Sequence, residues 1–308
     1  MYLQGLVVLL CALYGSVFIF AKLTLDYAPP FFITAARMIL AGTLLLIYQF
    51  LFQRKDFMVK KEHLLPILII GLMGVYLTNV LEFWGLQYLE AGRASFLYSF
   101  SPIATALMSY VWFSERITLQ KWIGILIGII GFIPLLIGPD STEDTTAKLF
   151  FITYAELAVL GAAIATSLGW LAMRHIVKNH QFSAVMANGT SMILGGLLSL
   201  VHSFISEPWN PAPIIDFWPF LQWFLCLTLV SNLICYNLHS VLLRSFTATY
   251  LSFAGLSQPF FAALFGLIFL DEILSPYFWV SVGAVTVGLY IYYQEELKLE
   301  KAFDTSPK

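Results

Sequence analysis

The second half of the chain restates the first. Arg93–Gly131 aligns without a gap on Tyr250–Gly288 at a constant offset of 157. Ser95 falls on Ser252, Phe96 on Phe253, Pro102 on Pro259, Ala106 on Ala263, Glu115 on Glu272, Trp122 on Trp279 and Gly131 on Gly288. Most of the remaining pairs are apolar on apolar. Upstream, Met38-Ile39-Leu40-Ala41-Gly42 recurs as Met192-Ile193-Leu194-Gly195-Gly196. Lys22 falls near Arg174 after a small change of offset, which implies a short insertion between the first two helices of the second unit. A chain made of two related apolar units folds as two related bundles, with whatever they handle held between them.

The solvent of those bundles follows from composition. The chain is 59% hydrophobic and 11% charged, with mean hydropathy +0.82. A soluble domain carries about 25% charged residues, so lipid does most of the solvating here. A helix needs about 20 apolar residues to cross a hydrocarbon core of about 30 Å. Ten runs meet that requirement: 3–25, 31–52, 64–88, 93–113, 119–138, 149–173, 183–205, 218–243, 247–270 and 275–293. The segments between them are too short for a soluble domain. The expected fold is therefore an all-α integral membrane protein of ten transmembrane helices. Residues 1–140 form the first five-helix unit, 147–294 the second, and 295–308 a tail. The first run is longer than a signal-peptide core, lacks a basic leader and contains Lys22, so it reads as an uncleaved first helix.

Charge gives the orientation. With the N-terminus inside, twelve Lys and Arg residues fall on inner loops and the tail, from Arg54 and Lys55 to Lys301 and Lys308. Only Arg93 and Lys148 fall at outer ends, while Lys22 and Arg37 lie within runs. This is the positive-inside pattern, and it places both termini in the cytoplasm. Five helices per unit is an odd number, so the two units face opposite ways across the membrane, a 5+5 inverted-topology repeat. Cys11, Cys226 and Cys235 all lie inside runs and imply neither a disulfide nor a metal site.

Several motifs carry a resemblance to a known family. Tyr14-Gly15-Ser16, Lys22, Pro30, Arg37 and Ala41 resemble the opening of the EamA-type transporters of the drug/metabolite transporter superfamily. Pro102, Glu115-Arg116 and the Gly124/Gly128/Gly131 series resemble the close of the same unit. Pro259, Asp271-Glu272, Gly283 and Gly288 resemble its second copy. The resemblance spans nearly the whole chain. It implies a carrier in a bacterial inner membrane, monomeric or homodimeric, that moves a small organic metabolite by proton coupling or by exchange with a counter-solute. It implies no cofactor, and no nucleic-acid partner is expected.

Candidate site residues come from polarity at membrane depth. A charged side chain there costs about 2.5–3.5 kcal/mol on insertion scales, so each needs a reason. Lys22, Arg37, Glu82 and Glu156 all fall in the outer half of their runs, which predicts one mutually neutralising cluster facing a wet cavity. Ion pairs that merely orient helices are the alternative. Tyr76, Asn79 and Glu82 recur at steps of three and predict one polar face. Thr228, Asn232, Tyr236 and His239 form a second stripe. Under the 157 offset Glu82 corresponds to His239 and Asn79 to Tyr236, so the two stripes are expected to line opposite walls of one path. Interhelical hydrogen bonding explains such stripes equally well. Glu82, His239 and Lys22 are the coupling candidates, His239 because imidazole titrates near neutral pH.

Two further runs carry aromatic and polar residues ahead of a proline: Phe96, Tyr98, Ser99, Ser101 and Pro102, then Tyr250, Phe253, Ser257, Gln258 and Pro259. Pro102 and Pro259 are expected to act as hinges, since proline frees a backbone carbonyl and weakens the helix there. Tyr98, Phe253 and Trp170 are candidates to pack on a flat or cationic solute, and Gln258 to bond it. Trp84 shares the ambiguity between site and packing. The glycine series read as close-packing faces, and Glu115 and Glu272 as residues that tie turns.

Arg37 would then meet a carboxylate, Glu82 or Glu156 an ammonium or sulfonium, and the aromatics a ring. That set suits an amino acid or an adenosylated amino acid such as S-adenosylmethionine. Export of other amphipathic metabolites or drugs is the alternative. The chain has no G-x-x-x-x-G-K-[ST] and so is not read as an ATP-driven pump. It has no H-E-x-x-H and no paired membrane aspartates, so an enzyme is not expected. The repeat argues for alternating access rather than a channel.

Overall fold

The computed structural model describes residues 2–54, 58–113, 118–134, 148–149, 152–246, 251, 254–272 and 274–304. Among these residues the chain forms ten helical rods. They are α1 (Tyr2–Leu25), α2 (Pro30–Phe52), α3 (Lys61–Leu86), α4 (Ala91–Tyr98 and Ser101–Phe113) and α5 (Leu119–Gly131). Then follow α6 (Tyr154–Asn179), α7 (Ala184–Ser206), α8 (Phe217–Leu242), α9 (a 3₁₀ turn Gly255–Ser257 leading into Gln258–Phe269) and α10 (Pro276–Asp304). Six of them, α1, α2, α3, α6, α7 and α8, are long and apolar enough to cross a membrane. Outward-facing Leu9, Leu51, Ile205, Ile268 and Val280 are all at least half exposed, as lipid-facing residues are.

The sequence explains where the rods start. Pro30 opens α2 and Pro259 lies in the first turn of the main helix of α9, positions whose amide has no helical acceptor in any case. Thr118, Thr153, Ser183 and Asp216 cap α5, α6, α7 and α8 by accepting a backbone N–H with their side chains. The run expected to begin at 149 does not begin there. A two-residue antiparallel ribbon pairs Lys148–Leu149 with Ile152–Thr153, and the helix starts only after the Thr153 cap. At its other end α6 continues six residues beyond the expected limit of 173, ending in a π-helical turn, His175–Asn179.

Regular rods are joined by close backbone contact. α2 packs along α7, where a Cβ on Gly42 would meet the Gly189 carbonyl at 2.9 Å and the Ile193 amide at 3.0 Å. α5 packs along α10, where a Cβ on Gly288 would meet the Gly128 amide at 2.5 Å. Small residues at these crossings let van der Waals contact replace the hydrophobic drive that lipid cannot supply. Gly283 takes no part, since its missing Cβ faces open space.

Irregular rods cluster elsewhere. α3 widens into a π-helix over Ile70–Leu77, and α8 does the same over Thr228–Cys235. In α3 the freed carbonyls find side chains: the Thr78 hydroxyl donates to the Met73 oxygen at 2.7 Å and Asn79 Nδ2 to the Val75 oxygen at 2.6 Å. α4 is interrupted at Ser99–Phe100, so Pro102 lies in the first turn of a new helix instead of kinking a continuous one. The core divides into two apolar clusters. One, toward the α1 C-terminus, includes Phe18, Ile33, Phe83, Phe96 and Phe278. The other, toward the α1 N-terminus, includes Leu10, Met38, Ile70, Met173 and Leu242. Tyr14 and Val230 touch both.

Candidate substrate cavity

Between the two clusters lies a polar cavity of about 70 Å³. Seven rods reach it or its rim: α1 (Tyr14, Val17, Phe18), α2 (Arg37), α3 (Asn79, Glu82), α4 (Tyr98, Ser99, Ser101, Pro102), α6 (Thr166, Trp170), α8 (Ser231, Tyr236, His239) and α9 with the residue preceding it (Leu251, Gly255, Gln258). At about 10–15 Å³ per water on this measure, it holds roughly five waters.

Arg37 is 1% exposed and fixed on three sides. Its Nη2 donates to Asn79 Oδ1, and its Nη1 to Ser231 Oγ and Asn232 Oδ1, both at 3.3 Å. The guanidinium carbon lies 4.4 Å from the Phe83 ring centre, a cation–π contact that partly replaces hydration. Its Nε has no hydrogen-bond partner among the described residues. Asn79 Nδ2 also donates to the Tyr236 hydroxyl at 3.2 Å, joining α3 to α8. The guanidinium is therefore preoriented by two amides that its own charge holds in place.

Glu82 is different. It is 7% exposed and lines the cavity, yet its carboxylate has no hydrogen bond or ion pair among the described residues. A carboxylate removed from water, facing the Arg37 charge but given no hydrogen bond, is held in readiness for a cation or a proton. The same cavity carries aromatic faces. The His239 ring stacks on Trp170 at 3.9 Å and 7°, Tyr14 meets His239 edge-on at 6.0 Å, and Tyr98 meets Phe18 edge-on at 6.0 Å. The Tyr14 hydroxyl and His239 Nδ1 have no partners among the described residues. The cavity thus offers one fixed cation, one carboxylate without a hydrogen bond, unfilled hydrogen-bonding groups and flat apolar faces.

Of the sequence candidates, Arg37, Asn79, Glu82, Tyr98, Trp170, Tyr236, His239, Gln258 and Pro102 line the cavity, and Asn232 joins it through Arg37. Phe253 lies outside the described residues, as do Glu115 and Arg116. The expected four-charge cluster is corrected. Glu156, 1% exposed, does not line the cavity. Its Oε1 accepts from Arg93 Nη2 at 2.5 Å and Nε at 3.1 Å, and its Oε2 from the Thr153 amide at 2.8 Å and hydroxyl at 3.0 Å. Glu156 caps α6 and ties it to α4. Lys22 is likewise elsewhere, donating to the Leu89 carbonyl at 2.6 Å and to Glu272 Oε1 at 3.0 Å. The two Glu272 oxygens also accept the Ala91 amide, each at 3.0 Å, so one carboxylate joins α1, the start of α4 and the α9–α10 connector. Tyr76 leaves the expected face too, its hydroxyl lying 3.1 Å from His202 Nδ1, because the π-helix turns it away from Asn79. Trp84 packs on Tyr88 rather than entering the cavity. Phe18, Thr166 and Ser231 line the cavity without having been singled out. Their short or apolar side chains gave no signal of depth cost.

Comparison with known proteins places the chain. The EamA-like transporter family model matches residues 3–137 and, a second time, residues 153–294. The chain belongs to the EamA-like transporter family. It is a transporter and a multi-pass membrane protein. It is 38% identical over 287 residues to a protein of Chlamydia muridarum named S-adenosylmethionine/S-adenosylhomocysteine transporter, covering 93% of this chain and 90% of that one. A Chlamydia trachomatis protein of the same name is 37% identical, covering 93% and 87%. A crystal structure at 16% identity shares the fold, with a TM-score of 0.69 over 96% of this chain and 98% of that one.

Proposed function

We propose that the protein is a secondary carrier of the S-adenosylmethionine class, exchanging an adenosylated amino acid across a bacterial inner membrane by alternating access. The observation that carries this reading is one cavity shared by a fixed Arg37, a Glu82 without a hydrogen bond and the Trp170–His239 stack. Arg37 meets the carboxylate, Glu82 the positive sulfonium, and the aromatic wall the adenine. The names borne by relatives 37–38% identical to this chain support the same class.

The cycle rests on two inverted five-helix units, residues 1–140 and 147–294, with both termini cytoplasmic. Support comes from the double family match, from π-helices at nearly corresponding places in α3 and α8, and from interruptions ahead of Pro102 and Pro259. The cavity holds only about five waters, less than an adenosylated amino acid needs, so the units part to admit it. Lys22–Glu272 then closes the outer end, and Glu82 and His239 are the groups able to exchange a proton with the path. The test is uptake of radiolabelled S-adenosylmethionine into proteoliposomes, with amino acids as competitors and with or without S-adenosylhomocysteine loaded inside. Saturable uptake accelerated by the loaded solute is expected. Uptake no faster than in empty liposomes would sink the substrate, and uptake indifferent to the loaded solute would sink exchange.

A further inference from the structure

The end of the bundle opposite Glu272 gathers histidines that the transport reading leaves unused. α3 starts there with Glu62 and His63 in its first turn, and α6 ends there with His175 in its π-helical turn. The connector to α7 adds His180. In sequence His175 and His180 alone form no ligand pattern. The fold brings His63 to them from more than a hundred residues upstream.

His175 Nε2 and His180 Nε2 stand 3.3 Å apart, their rings inclined at 69°. A tetrahedral zinc ion with Zn–N bonds of about 2.0–2.1 Å holds its ligand nitrogens about 3.3–3.4 Å apart. The pair is thus already at the separation of two ligands on one ion. Ligand atoms of Glu62, His63 and His180 also lie within 4.8 Å of one another. His180 belongs to both groupings, while His175 lies outside the three-residue set, so ligation by all four requires His175 and His180 to close together on Glu62 and His63. Asn179 Nδ2 lies 3.0 Å from His175 Nδ1, so ligation through His175 Nε2 requires the Asn179 amide to turn its oxygen toward that nitrogen. The His63 ring packs on Phe182 at 4.2 Å between centres.

We propose that His63, His175, His180 and Glu62 form a binding site for a divalent transition-metal ion, with Zn²⁺ the best fit to three imidazoles and a carboxylate. Besides the turn of the Asn179 amide and the approach of His175, binding requires two local changes. His63 Nδ1 now accepts the Lys60 amide at 3.3 Å, so ligation through Nε2 moves its proton to Nδ1 and opens that contact. The Lys60 ammonium, 3.7 Å from Glu62 Oε1, gives way to the ion. A filled site ties the start of α3 to the α6–α7 connector. If α3 and α6 belong to units that move against each other, as the proposed function holds, the ion slows exchange. The binding itself does not depend on that reading.

The test uses the full chain with its affinity tag removed, stripped with chelator and titrated with ZnCl₂ by calorimetry. One saturable Zn²⁺ per chain is expected. His180→Gln and His175→Gln should each weaken it by at least about tenfold, while His202→Gln, on Phe31 at the other end, leaves it unchanged. Co²⁺ in place of Zn²⁺ should give the intense visible bands of tetrahedral coordination, lost in His180→Gln. Thermal melting of each variant separates lost binding from lost fold. Absence of saturable binding, or binding indifferent to His175 and His180, overturns the site. If Zn²⁺ binds but exchange in proteoliposomes is equally fast with and without it, the regulatory role is overturned and the site is structural only.

Discussion

Glu82→Gln separates the proposed site from a merely polar core. The cavity carries one positive and one negative side chain, Arg37 and Glu82. S-adenosylmethionine brings a carboxylate, an ammonium and a sulfonium, one net positive charge; S-adenosylhomocysteine lacks the sulfonium and is neutral overall. With glutamine at 82 the cavity is net positive before any substrate enters. A sulfonium about 4 Å from the carboxylate gains about 4 kcal/mol at an effective dielectric constant near 20. Loss of one partner from a buried charge pair costs about 2–5 kcal/mol. At 1.36 kcal/mol per tenfold, a loss of about 2–4 kcal/mol weakens S-adenosylmethionine binding by about 30- to 900-fold. S-adenosylhomocysteine should lose far less, so the affinity ratio between the two collapses.

The assay is competition of unlabelled substrates against counterflow in proteoliposomes, wild type against Glu82→Gln, with melting temperatures measured alongside. Because Glu82 makes no hydrogen bond or close ion pair to the described protein and faces Arg37 only through space, its neutralisation should change melting little. Equal loss for both substrates would show that Glu82 meets the shared ammonium. No loss for either would remove Glu82 from the site. A large fall in melting temperature would show that it holds the fold, against the geometry seen here.

The other expectations follow from the neighbouring charges. Arg37→Lys keeps the charge but cannot reach Asn79, Ser231 and Asn232 together, so KM should rise by about tenfold or more while the protein still folds; unchanged KM in counterflow would place the substrate carboxylate elsewhere. Glu272→Gln and Lys22→Met each break the tie at the α1 C-terminal end and should favour the conformation open there by about 1–3 kcal/mol. Labelling of a cysteine introduced beneath the tie reads this, and the double variant should show less than the summed effect because the two share one interaction. Glu156→Ala removes the carboxylate half of the α6 capping box and leaves Arg93 without that carboxylate, a loss of about 3–5 kcal/mol in stability. Its melting temperature should fall with substrate affinity intact, and a selective change in affinity would return Glu156 to the site.

Depth was legible in the sequence and direction around the helix was less so. All ten apolar runs appear as helical rods, because hydropathy is a one-dimensional property and lipid rewards it directly. The four charges were assigned a common depth, which fixes height in the membrane but not the side a residue faces. Glu156 was placed in the cavity on that basis, although Thr153 three residues earlier is a capping-box signal readable from sequence. Lys22 finds Glu272, a residue 250 positions away that no local pattern connects to it. Tyr76 was lost to a π-helix, whose wider turn breaks the arithmetic of an ideal helix. Asn79, Tyr236 and His239 survived the same distortion because they flank or follow the widened turns.

The irregular helices and the cavity coincide, and this bears on how the bundle moves. α2 with α7 and α5 with α10 are continuous and held by backbone contact at Gly42, Gly189, Gly128 and Gly288. α3 and α8 carry π-helices, α4 is interrupted and α9 opens on a 3₁₀ turn, and all four line the cavity. Hydrogen-bond defects in a helix are costly in lipid unless side chains or water satisfy the freed carbonyls. The cavity supplies both, through Asn79 and the waters that Glu82 and His239 would hold. Each glycine-locked pair joins the first unit to the second, so under alternating access these pairs serve as fixed seams and the irregular rods at the cavity take up the bending. Four of the seven rods that line the cavity are thus also the ones best able to change shape around a cargo.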